Sequence, residues 1–209
     1  VRRETLPLLV ADYAVPLSEA ASLSLRLGAE AGVARYSMLD WYDARTPMPD
    51  NYRYLPSYTD DLETERAWLT RDPRYTQIDW DELIRRNRMQ GGHAVYALDD
   101  RVERPVRLCL DAAFSVRTDS RLTLRCGVSL RSDRTRFYRQ MRDLLGAGYV
   151  TDIDRYLVDD DTYSNLLQND LRHPDRTIRE GDRFGYDYAI RSREIRARFC
   201  AEYRSDRFR

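Results

Sequence analysis

The hydrophobic pattern changes period several times along the chain, and each change predicts an element. "LSEAASLSLRL" at residues 17–27 is framed by Ser18 as a helix start and Gly28 as a stop, and predicts a short helix. In "DDLETERAWL", Asp60 precedes Glu63 in a capping-box-like pair, which predicts a helix from Asp61 to about Thr70, closed at Asp72-Pro73. "DWDELIRRNRMQGG" repeats the device: Asp79 can cap the Glu82 amide, and Trp80, Leu83 and Ile84 form an apolar face before Gly91-Gly92. The period then falls to two. Val106, Leu108 and Leu110 alternate with Arg107 and Cys109, and Leu122, Leu124 and Cys126 alternate with Thr123 and Arg125, as antiparallel strands around an Asp119-Ser120 turn would.

Helical spacing returns in the last third. Phe137, Met141, Leu144 and Leu145 share a face that stops at Gly146, and Tyr163, Leu166, Leu167 and Leu171 share another. Ile195, Phe199 and Tyr203 stripe a terminal helix as one buried seam, with Arg191, Arg193, Arg196, Arg198 and Arg204 around it. The expected fold is therefore α+β: several amphipathic helices around a small antiparallel sheet, with an extended Tyr/Pro-rich segment. Its regions are residues 1–92, helical and extended; 93–131, strands; and 132–209, helical, all compatible with one domain.

Residues 36–60, "YSMLDWYDARTPMPDNYRYLPSYTD", fit neither period. Proline keeps this stretch out of a helix or central strand, and its rings are too many for a solvated linker. A stiff extended segment loses little entropy on binding, so it suits a strap laid along other protein subunits; packing back onto the chain's own core is an equal alternative. Arginine is the other adhesive residue type, because its planar fork pairs with carboxylates and stacks on rings. The candidate partner-binding residues are Tyr36, Trp41, Tyr42, Tyr52, Tyr54, Tyr58, Arg196 and Arg198.

Composition narrows the class. The 209 residues are 42% hydrophobic, enough for a core, and their 35 basic and 35 acidic groups leave no net field to draw nucleic acid or anionic lipid to the whole chain. No lysine occurs, so every basic residue is arginine, as GC-rich coding would also produce. Cys109, Cys126 and Cys200 have no ligand or redox spacing, and at least one is unpaired; small buried hydrophobes are the expectation. No apolar run is long enough for a membrane-spanning helix, and no signal peptide is expected. The first residue, Val1, fits either methionine removal or cleavage of a targeting presequence.

Chemistry is scarce. His93 and His173 are expected to be structural or solvated, and no HExxH, Walker or GxSxG pattern occurs. The acidic "DIDRYLVDDD" at residues 152–161 lacks the glycine of a calcium loop, and Asp160 or Asp161 reads as a helix cap. No catalytic residue, metal, cofactor or small-molecule substrate is expected. The arginine-rich terminus leaves a nucleic-acid-binding or mitochondrial ribosome-type component as one alternative, and an enzyme without a recognisable motif as another.

Tyr36-Ser37-Met38, then Pro49-Asp50-Asn51-Tyr52-Arg53-Tyr54-Leu55-Pro56, Arg71-Asp72-Pro73-Arg74-Tyr75 and Asp79-Trp80-Asp81 occur in a familiar order. Residues 36–81 resemble the Tyr/Pro-rich part of the ASHI-type accessory subunit of mitochondrial respiratory complex I. The resemblance implies a non-catalytic accessory subunit of a large assembly, bound to other protein subunits and mitochondrial, with the cytoplasm as the alternative location. That family continues into one transmembrane helix. Here the corresponding stretch is interrupted by Asp99, Asp100, Arg101, Glu103 and Arg104, so none is expected.

Overall fold

The computed structural model describes residues 1–42, 44–154 and 167–205. Strand makes up 55% and helix 16% of the structure, with the helix in four short pieces around a large antiparallel sheet, which overturns the expected α+β fold. In chain order come β1 (Arg2–Thr5), β2 (Leu8–Pro16), β3 (Ala21–Ala31), β4 (Val33–Trp41), α1 (Pro56–Thr59), α2 (Leu62–Leu69), α3 (Pro73–Thr76) and α4 (Trp80–Met89). Then follow β5 (Tyr96–Arg117), β6 (Leu122–Asp143), β7 (Val150–Thr151), β8 (Thr177–Ile178) and β9 (Arg183–Tyr203).

Two of the expected helices form where their caps are. The Asp61 side chain accepts from the Thr64 amide at the start of α2, and Asp79 accepts from the Glu82 amide at the start of α4. Asp60, the expected cap, instead ends α1 in the left-handed region at φ 48°. Three expected helices are strands. Residues 17–27 become a turn and most of β3, because Leu23, Leu25 and Leu27 alternate with Ser22, Ser24 and Arg26, and Ser18 serves the turn by accepting from the Ala20 amide. Phe137 and Met141 belong to β6, and Gly146 at φ 83° lies in the turn that follows it. Ile195, Phe199 and Tyr203 belong to β9, and at 77%, 72% and 64% exposure they form no buried seam. The cap assigned to Asp160 or Asp161, and most of the helix assigned around Tyr163 and Leu166, lie outside the described residues.

β5 is central to the large sheet: β4 and β3 lie along one side and β6 along the other, while β1 flanks β4, β2 flanks β3 and β9 flanks β6. The chain divides into two compact units. Unit 1 holds Val1, residues 36–101 and 138–187; unit 2 holds residues 2–35, 102–137 and 188 onward. Strands β4, β5, β6 and β9 contribute residues to both.

Unit 1 contains the hydrophobic core. Ala94, Ala97, Met141, Leu144, Val150, Ile178 and Phe184 form one buried cluster; Leu83, Val95, Tyr96 and Leu145 form another, with Trp41 packed on it. Asn87 on α4 is fully buried and joins three segments: its Nδ2 donates to the carbonyls of Tyr96, Leu144 and Leu145, and its Oδ1 accepts from the amides of Val95 and Tyr96. Every polar atom of that side chain has a partner, which is what its burial requires.

Unit 2 is a sheet whose registers determine which residues share a face. β2 and β3 are antiparallel with Tyr13 opposite Leu25, and β3 and β5 are antiparallel with Leu27 opposite Leu110. The Asp111–Ser129 hydrogen bond and the 3.9 Å Arg107–Asp133 pair set β6 against β5 so that Leu110 faces Leu130. The Arg204 amide on the Arg121 carbonyl at 2.8 Å and the Phe137–Tyr188 ring stack at 5.3 Å set β9 antiparallel to β6, with Cys126 opposite Phe199.

Candidate functional site

Directly opposed residues in a sheet project from the same face, and alternate residues along a strand share it. One face of unit 2 therefore carries Leu9, Ala11, Tyr13 and Val15 from β2, the odd positions from Ala21 to Ala31 of β3, and the even positions from Val106 to Val116 of β5. It continues through Leu122, Leu124, Cys126, Val128 and Leu130 of β6 to Ile195, Ala197, Phe199, Ala201 and Tyr203 of β9. No charged residue interrupts it over these spans. Leu9 is 68% exposed, Leu27 49%, Leu108 51% and Phe199 72%, so none of the described residues covers these positions of the face.

The opposite face holds the charges of the same spans, and they pair with one another. Arg26 meets Asp12 at 2.5 Å, Arg107 meets Glu30 at 2.6 Å, Arg125 meets Glu202 at 3.2 Å, and Arg196 pairs with Glu194. Small residues on this side permit close approach: a Cβ at Gly127 would lie 2.8 Å from the Arg198 Nε, and one at Gly28 would collide with the Cys109 sulfur. All three cysteines are unpaired, Cys109 half-buried and Cys126 and Cys200 exposed, so the last two are not the buried hydrophobes expected of them. Register puts Cys126 on the apolar face, and Cys109 and Cys200 on the polar one.

The strand connections are asymmetric. β2–β3 and β5–β6 are joined by tight turns at residues 17–20 and 118–121, whereas the opposite ends are joined through residues 32–95 and 144–182. The strands β2, β3, β5, β6 and β9 are neighbours in the order in which they occur in the chain.

Unit 1 offers a second candidate, a cleft of about 1320 Å³ bordered by Asp40, Trp41, Arg101, Arg139, Asp152 and Phe184. Arg139 pairs with Asp40 at 2.7 Å and with the buried Asp99, and lies over the Phe184 ring at 4.6 Å. Burial lifts the Asp99 carboxyl above the usual carboxylate range, and the hydrogen bond from Arg139 offsets that only in part. Asp152 is saturated by Asn169 at 3.0 Å, Gly185 at 3.2 Å and Arg176 at 2.6 Å. These charges neutralise one another and tie strands to connections, an arrangement that organises a surface rather than one that exposes a nucleophile.

The sequence-selected residues fall in both units. In unit 1, Tyr36 is 54%, Tyr52 56% and Tyr58 61% exposed, and the last two meet edge to face at 5.3 Å. Trp41 and Tyr42 are half-buried, the first against the Leu83 cluster; Tyr54 donates to the Thr46 carbonyl at 3.2 Å beneath the Arg45 guanidinium. Arg196 and Arg198 are on the polar face of unit 2. His93 packs edge-on against Tyr149, and His173 is 2.9 Å from Asp170. Sequence reasoning missed the apolar face, although the alternation at Leu23, Leu25 and Leu27, and again at Ile195, Ala197 and Phe199, carries it.

Among the described residues no helix is long and apolar enough to cross a membrane, and no cluster of His, Cys, Asp and Glu has metal-binding geometry. Comparison with family models, with curated proteins and with solved structures returned no match.

Proposed function

We propose that unit 2 is part of the wall of a transmembrane β-barrel, with its apolar face toward lipid and its polar face toward an aqueous or protein-filled lumen. The observation that carries this reading is the segregation of residue types over five adjacent strands, uninterrupted by charge on one side. Backbone polar groups in a bilayer must be satisfied between strands, which only helices and closed barrels achieve, so lipid-facing strands alternate apolar-out and polar-in. The spans Ala21–Ala31 and Val106–Val116 each rise roughly 33 Å at about 3.3 Å per residue, or roughly 23 Å across the membrane at a tilt of about 45°. That matches the apolar band of about 25 Å in such barrels. Tight turns at one end of the strands and long connections at the other are the usual barrel asymmetry.

The free cysteines test the reading directly. With the full polypeptide in sealed, then permeabilised, phosphatidylcholine vesicles, Cys200 is expected to react with a charged water-soluble maleimide after access to both sides is opened. Cys126 is expected to react only with a lipid-soluble reagent. Equal reaction of the two with the charged reagent rejects the barrel wall.

A second reading has its own observation. Tyr36, Tyr52 and Tyr58 stay exposed in unit 1 within the stretch that resembles the complex I accessory subunit, which supports an assembly surface for other protein subunits and, on that resemblance alone, a mitochondrial setting. Truncating Tyr52 and Tyr58 to alanine would then release partners that co-purify with the wild type.

A further inference from the structure

Among the described residues, β2 pairs with β3 alone and β9 with β6 alone, so the sheet ends in two edges. The Ser37 amide donates to the Val1 carbonyl at 2.9 Å, the register that also sets Leu8 opposite Glu30. β1 and β4 therefore prolong β2 and β3 and add nothing to the width, which stays at five strands. The residues outside the described ones come in runs of at most twelve, 155–166, the length of about one membrane-spanning strand.

Hydrogen bonds at the strand ends show which way each backbone group points. The Leu17 amide donates to the Ala21 carbonyl at 2.8 Å, so the odd positions of β2 turn toward β3. The Arg204 amide donates to the Arg121 carbonyl at 2.8 Å, so the even positions of β9 turn toward β6. Successive residues of a strand direct their N–H and C=O groups to opposite sides. Val10, Asp12 and Ala14 on β2, and Ile195, Ala197 and Phe199 on β9, therefore turn theirs to the open edges, where no described strand meets them.

We infer that these two edges bind further β-strands, odd in number and at least three, from polypeptide other than a second copy of this chain, a reading that rests on the barrel wall proposed above. An open edge cannot stay in hydrocarbon, and the smallest membrane barrels close with about eight strands, three more than unit 2 supplies. Direction determines the parity. Four antiparallel steps separate β2 from β9, so the two edges run the same way, and an all-antiparallel closure between them takes an odd number of strands. A second copy in the same orientation would meet both edges in parallel, and an inverted copy would send its long connections to the other side of the membrane. The added strands must also alternate, with apolar side chains beside Tyr13 and Phe199 and polar ones beside Asp12 and Arg198, because neighbours in a sheet share its faces.

The test uses the full polypeptide in lysophosphatidylcholine micelles, where open edges reach water, with amide exchange followed residue by residue. The six outward amides are expected to exchange about tenfold or more faster than the inward ones of Ala11, Tyr13, Arg196 and Arg198, at every protein concentration. A synthetic peptide of residues 21–31, whose sequence already pairs antiparallel with β2 and alternates as required, stands in for the neighbouring strand and should slow the three β2 amides by about the same factor. Ala14→Pro removes one outward donor while leaving the ladder to β3, and should weaken peptide binding about fivefold or more. Outward amides that become slow as protein concentration rises would mean that a second copy covers them, and slow exchange at every concentration that the chain covers its own edges; either overturns the inference. So does a peptide that leaves the β2 amides unchanged in the wild type. Cys126 labelling in the same micelles separates the failures: Cys126 closed to a charged maleimide with covered edges rejects the strand addition alone, and Cys126 open to it rejects the barrel wall as well.

Discussion

Asp99 shows how one residue can work against the unit that contains it. Its carboxyl is almost fully buried, one oxygen is held by Arg139 and the other has no hydrogen-bond partner. Burial raises its folded-state pKa above the unfolded value, so the folded chain holds that proton more tightly. Its contribution to stability is therefore present in full below the unfolded pKa, near 4, and is lost as pH rises through the folded pKa. Asp99→Asn should flatten this dependence, because an amide keeps the Arg139 contact without a charge to bury. Amide exchange over residues 97–101, followed from pH 4 upward, should show protection falling with pH more steeply in the wild type than in the variant. Parallel curves would mean that Asp99 does not titrate in this range.

At the scale of the element, the proposed barrel wall depends on the strands of unit 2, whose period would let one side chain in two meet a different medium. Phe199 illustrates the change of expectation: as a core residue its truncation would cost several kcal/mol, but at 72% exposure it has no cavity to leave. The informative substitution is a charge. Leu110 lies mid-span on the apolar face, so Leu110→Arg should destabilise the bilayer-inserted protein by roughly 2 to 4 kcal/mol. Ser24, on the polar face of the same span and opposite Ala113, should accept arginine within about 0.5 kcal/mol. Urea unfolding from vesicles measures both, and equal costs at the two positions would mean that the faces do not see different media.

For the whole molecule, the connections determine sidedness. Both tight turns leave the sheet at one end and both long connections at the other. In vesicles sealed with the long connections outward, trypsin should spare Arg121 in the 118–121 turn. Permeabilising the vesicles should expose it. Cleavage at Arg121 in the intact, uniformly oriented vesicles would put the tight turns and the long connections on one side of the membrane, which a spanning wall forbids.

Local chemistry was legible in the sequence wherever a capping side chain and its amide are three residues apart. The starts of α2 and α4, and the hairpin about Asp119-Ser120, are local, and the structure retains them. The apolar stripe of Ile195, Phe199 and Tyr203 was visible too, but its spacing of four is two strand repeats as well as roughly one helical turn. Only the pairing of β9 with β6 chose between them, because that partner is some sixty residues away in the chain and its register cannot be read from β9 itself. The same holds for the candidate surface. Each strand by itself carries a few alternating leucines and valines, and a continuous apolar face exists only once the four registers that join the five strands are aligned. Composition and local capping are properties of single segments, whereas a face is a property of hydrogen-bonded neighbours, and for that reason the tertiary structure alone decided it.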